Sequence, residues 1–367
     1  MTTTLTRRQL NRALLARQMF LHREDCTPLE AVQRLFGLQA QLPNPPYIGL
    51  WVRLQNIQRD DLTHLMETRQ VVRAALMRST LHLMTAEDYL RFRMTLQPAL
   101  DRALNAFFGK RARDLDLPAV VAAAQSFVSE APRSTGEVKA RMLELMPGQD
   151  GEALAYAVRN NIPQVQVPPG GVWGSGSAGA YIASGAWIGE VDPNDNAREM
   201  FRRYLMAFGP ASVMDFQAWS GLTKLKDVLE SMRAELRVYR SESGKELFDV
   251  PEATLPPEDT PVPVCFVPEY DNLIISHADR SHIIADEDRP KVFLSAARVL
   301  GTILVDGFVA GTWKTEIKKK SITLRITPFD ALAAEDETAL AEEGERLARF
   351  ILPDAATLDV TFSAGNP

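Results

Sequence analysis

The sequence predicts an α+β chain in which one helix–turn–helix–hairpin unit is used three times in tandem, followed by a small β-rich domain. Three observations predict it. Thr27-Pro-Leu-Glu30, Ser134-Thr-Gly-Glu137 and Ser212-Val-Met-Asp215 each set a cap residue three positions before a carboxylate. At that spacing the hydroxyl caps a helical amide while the carboxylate reaches back to the cap's own N–H. Behind each cap runs a short amphipathic helix, then a second helix, then β-like alternation. Beyond residue 262 this grammar stops, and short apolar runs between turn residues take over.

In the first unit Thr27 has proline at the first helical position, where a missing N–H costs nothing. Its second helix is expected at 46–54 or 61–69, and its hairpin at 71–77 and 80–84. The second unit should place its second helix at 151–160 and strands at 163–167 and 179–183. The third should have a helix at 223–232 and strands at 236–240 and 245–250, joined by the turn Ser241-Glu-Ser-Gly244. Helix, turn, helix and hairpin in that order is the winged-helix pattern.

Residues 251–262, rich in Pro, Glu and Asp, read as a linker. After it, 264–267, 273–276, 301–305, 308–313 and 321–327 read as strands of a small β-barrel or sheet. Asp306-Gly307 is a two-residue hairpin turn within it. A helix at 336–350 and a strand at 357–362 complete the chain, so the domains are expected at 1–110, 111–192, 193–255 and 256–367.

Apolar residues make up 46% of the 367, an ordinary share for a soluble protein. No run approaches the ~18 uninterrupted apolar residues of a membrane span, and the arginine-bearing N-terminus lacks a signal-peptide core. Cys26 and Cys265 lie too far apart in sequence to suggest a disulfide framework, and the five histidines lack metal-ligand spacing. A reduced, cytoplasmic protein without metal or cofactor is expected. The net charge of −6 counts against a nucleic-acid coat protein, yet leaves room for a DNA-binding face. Positive charge is clustered at Arg7, Arg8, Arg12 and Arg17 and again at Lys314 and Lys318 to Lys320. The acidic surplus sits at Glu258 and Asp259 and in the 335–345 run.

Chemistry concentrates in Leu35-Phe-Gly-Leu-Gln39-Ala-Gln41. Two glutamines one residue apart in a turn or extended segment can point the same way and hold one water between them. The alternative is that they cap loose backbone groups at a helix end. Gly174-Ser-Gly176-Ser-Ala-Gly179 has the form of a dinucleotide fingerprint, but prolines precede it and strand-like Tyr181 and Ile182 follow, so it reads as a wing loop. Ser276-His277-Ala-Asp279 sets triad residue types side by side without triad geometry. Strand alternation puts His82 with Thr80 and Met84 and away from Leu81 and Leu83, either facing a site or bonding structurally. Glu269-Tyr-Asp271-Asn272 reads as a turn held by Asp and Asn side chains. Lys318 to Lys320 beside Trp313 and Lys314 either grip phosphates or form a solvated turn.

These stretches together resemble the tandem winged-helix DNA glycosylases of the AlkZ and YcaQ type. The matching residues are Leu15-Ala-Arg-Gln18, Gly37-Leu-Gln39-Ala-Gln41, Met77-Arg-Ser-Thr-Leu-His82, and Phe208-Gly-Pro210 with Asp215-Phe-x-x-Trp219-Ser-Gly221. Pro268-Glu-Tyr-Asp-Asn272 with Ser276-His-Ala-Asp-Arg280, and Val305-Asp-Gly with Gly311-Thr-Trp313, continue it in the family's order. The resemblance implies three winged helices and a β-barrel in a C-shaped cradle. It implies excision of alkylated purines, including bases tied up in interstrand crosslinks, with Gln39-Ala-Gln41 as the catalytic signature of the AlkZ branch. His82 falls in the family's Thr-Leu-His stretch, and Ser79 stands where relatives usually carry glycine.

An N7-alkylated purine is cationic and leaves readily, so such an enzyme mainly needs a water held opposite the departing base, against an oxocarbenium-like centre. Gln39 and Gln41 are the expected catalytic pair. No lysine accompanies them, so no Schiff-base lyase step is expected. DNA contacts are expected from His82, Arg7, Arg8, Lys314, Lys318, Lys319 and Lys320, with Trp313 as a stacking or packing face. Asp306 and Gly307 form the candidate wedge into the duplex, and the turn on the Ser321 side is the fallback. The partner would be double-stranded DNA carrying alkylated or crosslinked purines, and the protein a monomer. The competing reading is a non-catalytic winged-helix DNA-binding protein, which as a regulator should dimerise on spaced half-sites.

Overall fold

The computed structural model describes residues 3–176 and 179–363. All three capping boxes close, at Thr27, Ser134 and Ser212, and each opens a helix: Pro28–Arg34, Thr135–Leu145 and Val213–Ser220. A fourth box, Thr6 with Gln9, opens helix Arg7–Arg17; its amide does the work of a carboxylate, which is why a search for carboxylates passes over it.

After Pro28–Arg34 come a two-residue strand, Leu38–Gln39, and then both alternatives for the second helix, Pro45–Trp51 and Arg59–Glu67. Strands Val71–Ala75 and Leu81–Thr85 close this first unit. The second unit runs helix Leu117–Glu130, strand Arg133–Ser134, helices Thr135–Leu145 and Gly151–Asn161, and strands Gln164–Val167 and Ala180–Ala183. In the third, helices Ala197–Phe208, Val213–Ser220 and Lys226–Met232 precede strands Arg237–Ser241 and Glu246–Asp249. There a single bridge, Ala211 to Phe248, stands where the other units have their first short strand.

The units are stitched together. The first two share one six-stranded sheet, joined where Arg73 lies opposite Gln166. The N-terminal strand Thr4–Leu5 runs parallel to the third unit's strand at Arg240 and Ser241. One continuous apolar core takes in Phe36, Phe92, Val165, Tyr204, Trp219, Phe266 and Leu347, residues from all three units and from the C-terminal region.

The C-terminal region is a five-stranded sheet in the order Cys265–Val267, Gly301–Val305, Phe308–Lys318, Ser321–Pro328, Thr357–Phe362. Its neighbours are antiparallel except the last pair, which is parallel because helix Ala334–Ile351 crosses over between them. Among the described residues the two edge strands are not hydrogen-bonded to each other.

Two expectations here need correction. Residues 273–276 are no strand: Asp271 accepts the Leu273 N–H at 2.9 Å and caps the short helix Asn272–Ile275. A four-residue apolar run carries no period that separates the two. Glu343, placed in a solvated acidic run, is buried and receives Arg23 at 2.7 Å. No helix among the described residues is long and apolar enough to cross a membrane. Of the glycine-rich wing loop, Ser177 and Ala178 lie outside the described residues.

Candidate active site

The Gln39-Ala-Gln41 segment is fixed from several sides before its side chains are considered. Phe36 and Gly37 take left-handed conformations (φ 54° and 88°) that turn the chain out of helix Pro28–Arg34. A Cβ on Gly37 would lie 2.9 Å from the Leu83 carbonyl, so only glycine fits. The Gly37 carbonyl accepts Asn272 Nδ2 at 2.6 Å. Gln39 pairs with His82 across the strands, and Ala40 N–H donates to the Leu81 carbonyl at 2.7 Å. The Ala40 carbonyl accepts both Nε and Nη2 of buried Arg73, at 2.8 and 2.6 Å.

Gln39 ends the strand Leu38–Gln39 and Gln41 lies in the bend just beyond it, and both side chains turn toward the 78–81 segment. Gln39 is nearly buried (9% exposed) and Gln41 is exposed. Gln39 Oε1 accepts Arg78 Nη2 at 2.7 Å, while Gln41 Oε1 accepts the Leu81 N–H at a long 3.4 Å. An amide oxygen has two lone pairs, so each retains acceptor capacity. Thus Gln39 is oriented by a side chain and not spent on capping backbone; Gln41 caps weakly.

Arg78 is where the three units converge. It and Ser79 are consecutive left-handed residues (φ 54° and 58°), an arrangement that costs about 1–3 kcal/mol per residue and persists only where neighbours impose it. The neighbours do so. Ser79 Oγ bonds Tyr156 OH at 2.9 Å and accepts Asn160 Nδ2 at 3.2 Å, both from the second unit. Arg78 Nη1 donates to the Trp219 carbonyl of the third. The Ser79 hydroxyl thereby ties the strained turn to the second unit. Burial, with Arg280 nearby, lowers the Arg78 pKa to about 10, which leaves it charged at neutral pH.

His82 is completely buried, and this corrects its expected role as a direct DNA contact. Burial and the charge of Arg78 push its pKa down to about 3, so the ring is neutral. Its Nδ1 faces the Thr80 carbonyl at 3.0 Å, and Nε2 has no partner among the described residues. It lies directly across the strand pair from Gln39.

Opposite Gln39 stands the segment Pro268–Asn272. Leu38, Gln39, Pro45, Pro46, Gly49, Pro268, Glu269 and Asp271 line one small cavity. Asp271 holds Arg53 through two bonds of 2.8 and 2.7 Å, both groups wholly buried, and Arg53 also donates to the Gln18 and Gly49 carbonyls. Between these anchors Tyr270 is left-handed (φ 62°).

The profile of the family described as DNA glycosylase AlkZ-like matches residues 32–350. The chain belongs to that family. Its fold is similar to that of the Streptomyces sahachiroi DNA glycosylase AlkZ, with a TM-score of 0.80 over 98% of this chain and 100% of that chain at 19% identity. No curated protein matches the chain in sequence.

For a member of the AlkZ-like family, the first basic cluster then requires revision. Asp306 binds Arg8 through both oxygens, at 2.6 and 2.9 Å, and also Arg12, which is wholly buried. Arg17 is held by Asp249 at 2.7 Å. These arginines fasten the N-terminal helix, and Arg8 is not free for phosphate. Arg7 is exposed, stacked 5.1 Å over Phe308.

The Asp306-Gly307 turn is no wedge. Asn11 Nδ2 donates to the Gly307 carbonyl at 2.8 Å, and a Cβ on Gly307 would lie 2.6 Å from Leu15. The turn is pressed onto helix Arg7–Arg17. Trp313 is also inward, 9% exposed, its Nε1 donating to the Val267 carbonyl at 2.8 Å, so it packs and does not stack on bases. The fallback hairpin has what the other lacks. Strands Phe308–Lys318 and Ser321–Pro328 project a turn where Lys318, Lys319 and Lys320 are exposed and unpaired among the described residues, beside exposed Ile317. Lys314 pairs with Glu316 at 3.4 Å.

The sequence reading missed Arg78 and Glu269. Arg78 carried no signal except its place in the Met77-to-His82 stretch, and Glu269 was read only as part of a turn.

Proposed function

We propose that the protein is a DNA glycosylase that hydrolyses the N-glycosidic bond of N7-alkylated purines, using a water oriented by Gln39 and Gln41. The observation that carries this is that both amide oxygens, two residues apart, turn toward the 78–81 segment, with Gln39 fixed by the Arg78 guanidinium at 2.7 Å. A nucleotide whose base is already a good leaving group needs positioning above all, and the firmly held Gln39 amide, with the exposed Gln41 amide beside it, supplies that. In this reading the three helix–hairpin units are winged helices forming a C-shaped cradle with the C-terminal domain. An open cleft of that kind would admit crosslinked bases, which cannot swing freely into a closed pocket. The Lys318-to-Lys320 turn enters or grips the duplex, with Ile317 as its apolar tip.

The deciding assay is incubation of the purified protein with duplex DNA containing 7-methylguanine, followed by chromatography for free base. Release of the base at a rate above the spontaneous one is expected. Tight binding without release would favour a non-catalytic damaged-DNA binder instead. Replacing Lys318, Lys319 and Lys320 by alanine should make the dependence of log Kd on log salt shallower by about 2 to 3, since each phosphate contact contributes ~0.9. An unchanged slope would remove this turn from the interface.

A further inference from the structure

The glutamines leave one chemical demand unmet. When water attacks C1′, a proton must go somewhere, and a neutral amide does not accept one at neutral pH. We propose that Glu269 is the proton acceptor for the attacking water, acting across the small cavity from the Gln39 amide; this role rests on the glycosylase reading above.

Four observations carry it. First, Glu269 and Gln39 line the same cavity, one from the Pro268–Asn272 segment and the other from the motif strand. Second, the structural duties of that segment are discharged by its neighbours. Asp271 binds Arg53 and caps helix Asn272–Ile275, and Asn272 donates to the Gly37 carbonyl. Glu269, half-buried, makes no hydrogen bond or ion pair among the described residues. An acid that is partly desolvated without a partner has a cost and no structural return. Third, the left-handed Tyr270 sits between the cavity-lining Glu269 and the anchored Asp271. Such a conformation persists only where the surroundings impose it, and it gathers at functional sites.

Fourth, burial raises the pKa of Glu269, moving it toward the range where a carboxylate works as a base near neutrality. The charged and titratable groups around it are few. Arg298 opposes the rise, Tyr270 is the next residue, and Asp271 lines the same cavity with its charge matched by Arg53.

The step balances. The water oxygen forms a bond to C1′ as the C1′–N9 bond breaks. The bonding pair moves onto N9 and neutralises the cationic ring, and the water proton passes to the Glu269 carboxylate, later to solvent. The base leaves neutral and the sugar keeps a hydroxyl.

The test is single-turnover release of 7-methylguanine by wild type, E269Q and E269D across pH, with melting temperature and DNA Kd measured alongside. The carboxylate must be ionised, so the wild-type rate should fall on acidification through a pKa above the ordinary glutamate value. E269Q should be about 100-fold slower at neutral pH, at the low end of what a positioned base contributes, and should lose that acid limb. E269D should keep the limb at reduced rate, and neither change should move melting temperature or Kd. A wild-type rate and limb in E269Q overturn the role. So does a rate loss that accompanies early melting and that E269D shares in full without an acid limb, because that pattern is structural. If wild-type protein itself releases no base, the glycosylase reading fails first, and that result is distinguishable from a Glu269 failure.

Discussion

Gln39→Ala is expected to slow single-turnover release of 7-methylguanine by roughly 100-fold, the scale of loss when a reacting group is misplaced by about an ångström. DNA affinity should hold, because Gln39 is nearly buried and not part of the basic turn. The change removes the acceptor for Arg78 Nη2, and so leaves a charged donor short of a partner at a cost of about 1–3 kcal/mol. A melting-temperature measurement separates that cost from the kinetic one. Gln39→Glu offers the second control, since it keeps an oxygen for Arg78 while replacing the amide. A Gln39→Ala protein that releases base at the wild-type rate would remove the catalytic assignment.

The second large effect is on stability. Asp271→Ala strands the Arg53 guanidinium, which is wholly buried and stacked 4.2 Å over Phe20. Breaking a buried pair by removing one partner costs ~3–5 kcal/mol. With an unfolding entropy of ~2 cal/mol/K per residue, the melting temperature should fall by about 5 °C. The same change removes the cap on helix Asn272–Ile275, so activity should drop along with stability. Asp271→Asn, which keeps acceptor and cap geometry but not the charge, should fall between. An unchanged melting temperature in the alanine variant would mean that Arg53 is held by the Gln18 and Gly49 carbonyls alone.

Local signals in the sequence were legible to the residue. The capping boxes at Thr27, Ser134 and Ser212 and the strand Thr357–Phe362 stand where spacing put them, because each is decided by neighbours along the chain. What misled was charge and turn chemistry. Arg8, in a run of positive charge with Arg12 and Arg17, looked like a phosphate contact, but the partners of all three, Asp306 and Asp249, lie more than two hundred residues away. Asp306-Gly307 has the composition of a free hairpin turn; only the fold brings Asn11 and Leu15 down on it. Arg78 was invisible for the same reason. Its value comes from meeting Gln39 and the Trp219 carbonyl at once, and no linear pattern records that.

The side chain of Arg73 clasps the Ala40 carbonyl from within a sheet that the first two units share, at the one position where Arg73 meets Gln166. The seam between those units is therefore not a place to cut. A fragment ending near residue 110 would lose Gln166 from beside the clasp, and with it the strut that keeps the motif rail in line. Transplanting the two glutamines onto another scaffold would have to carry that borrowed strand along, so this chemistry travels only with its neighbour attached.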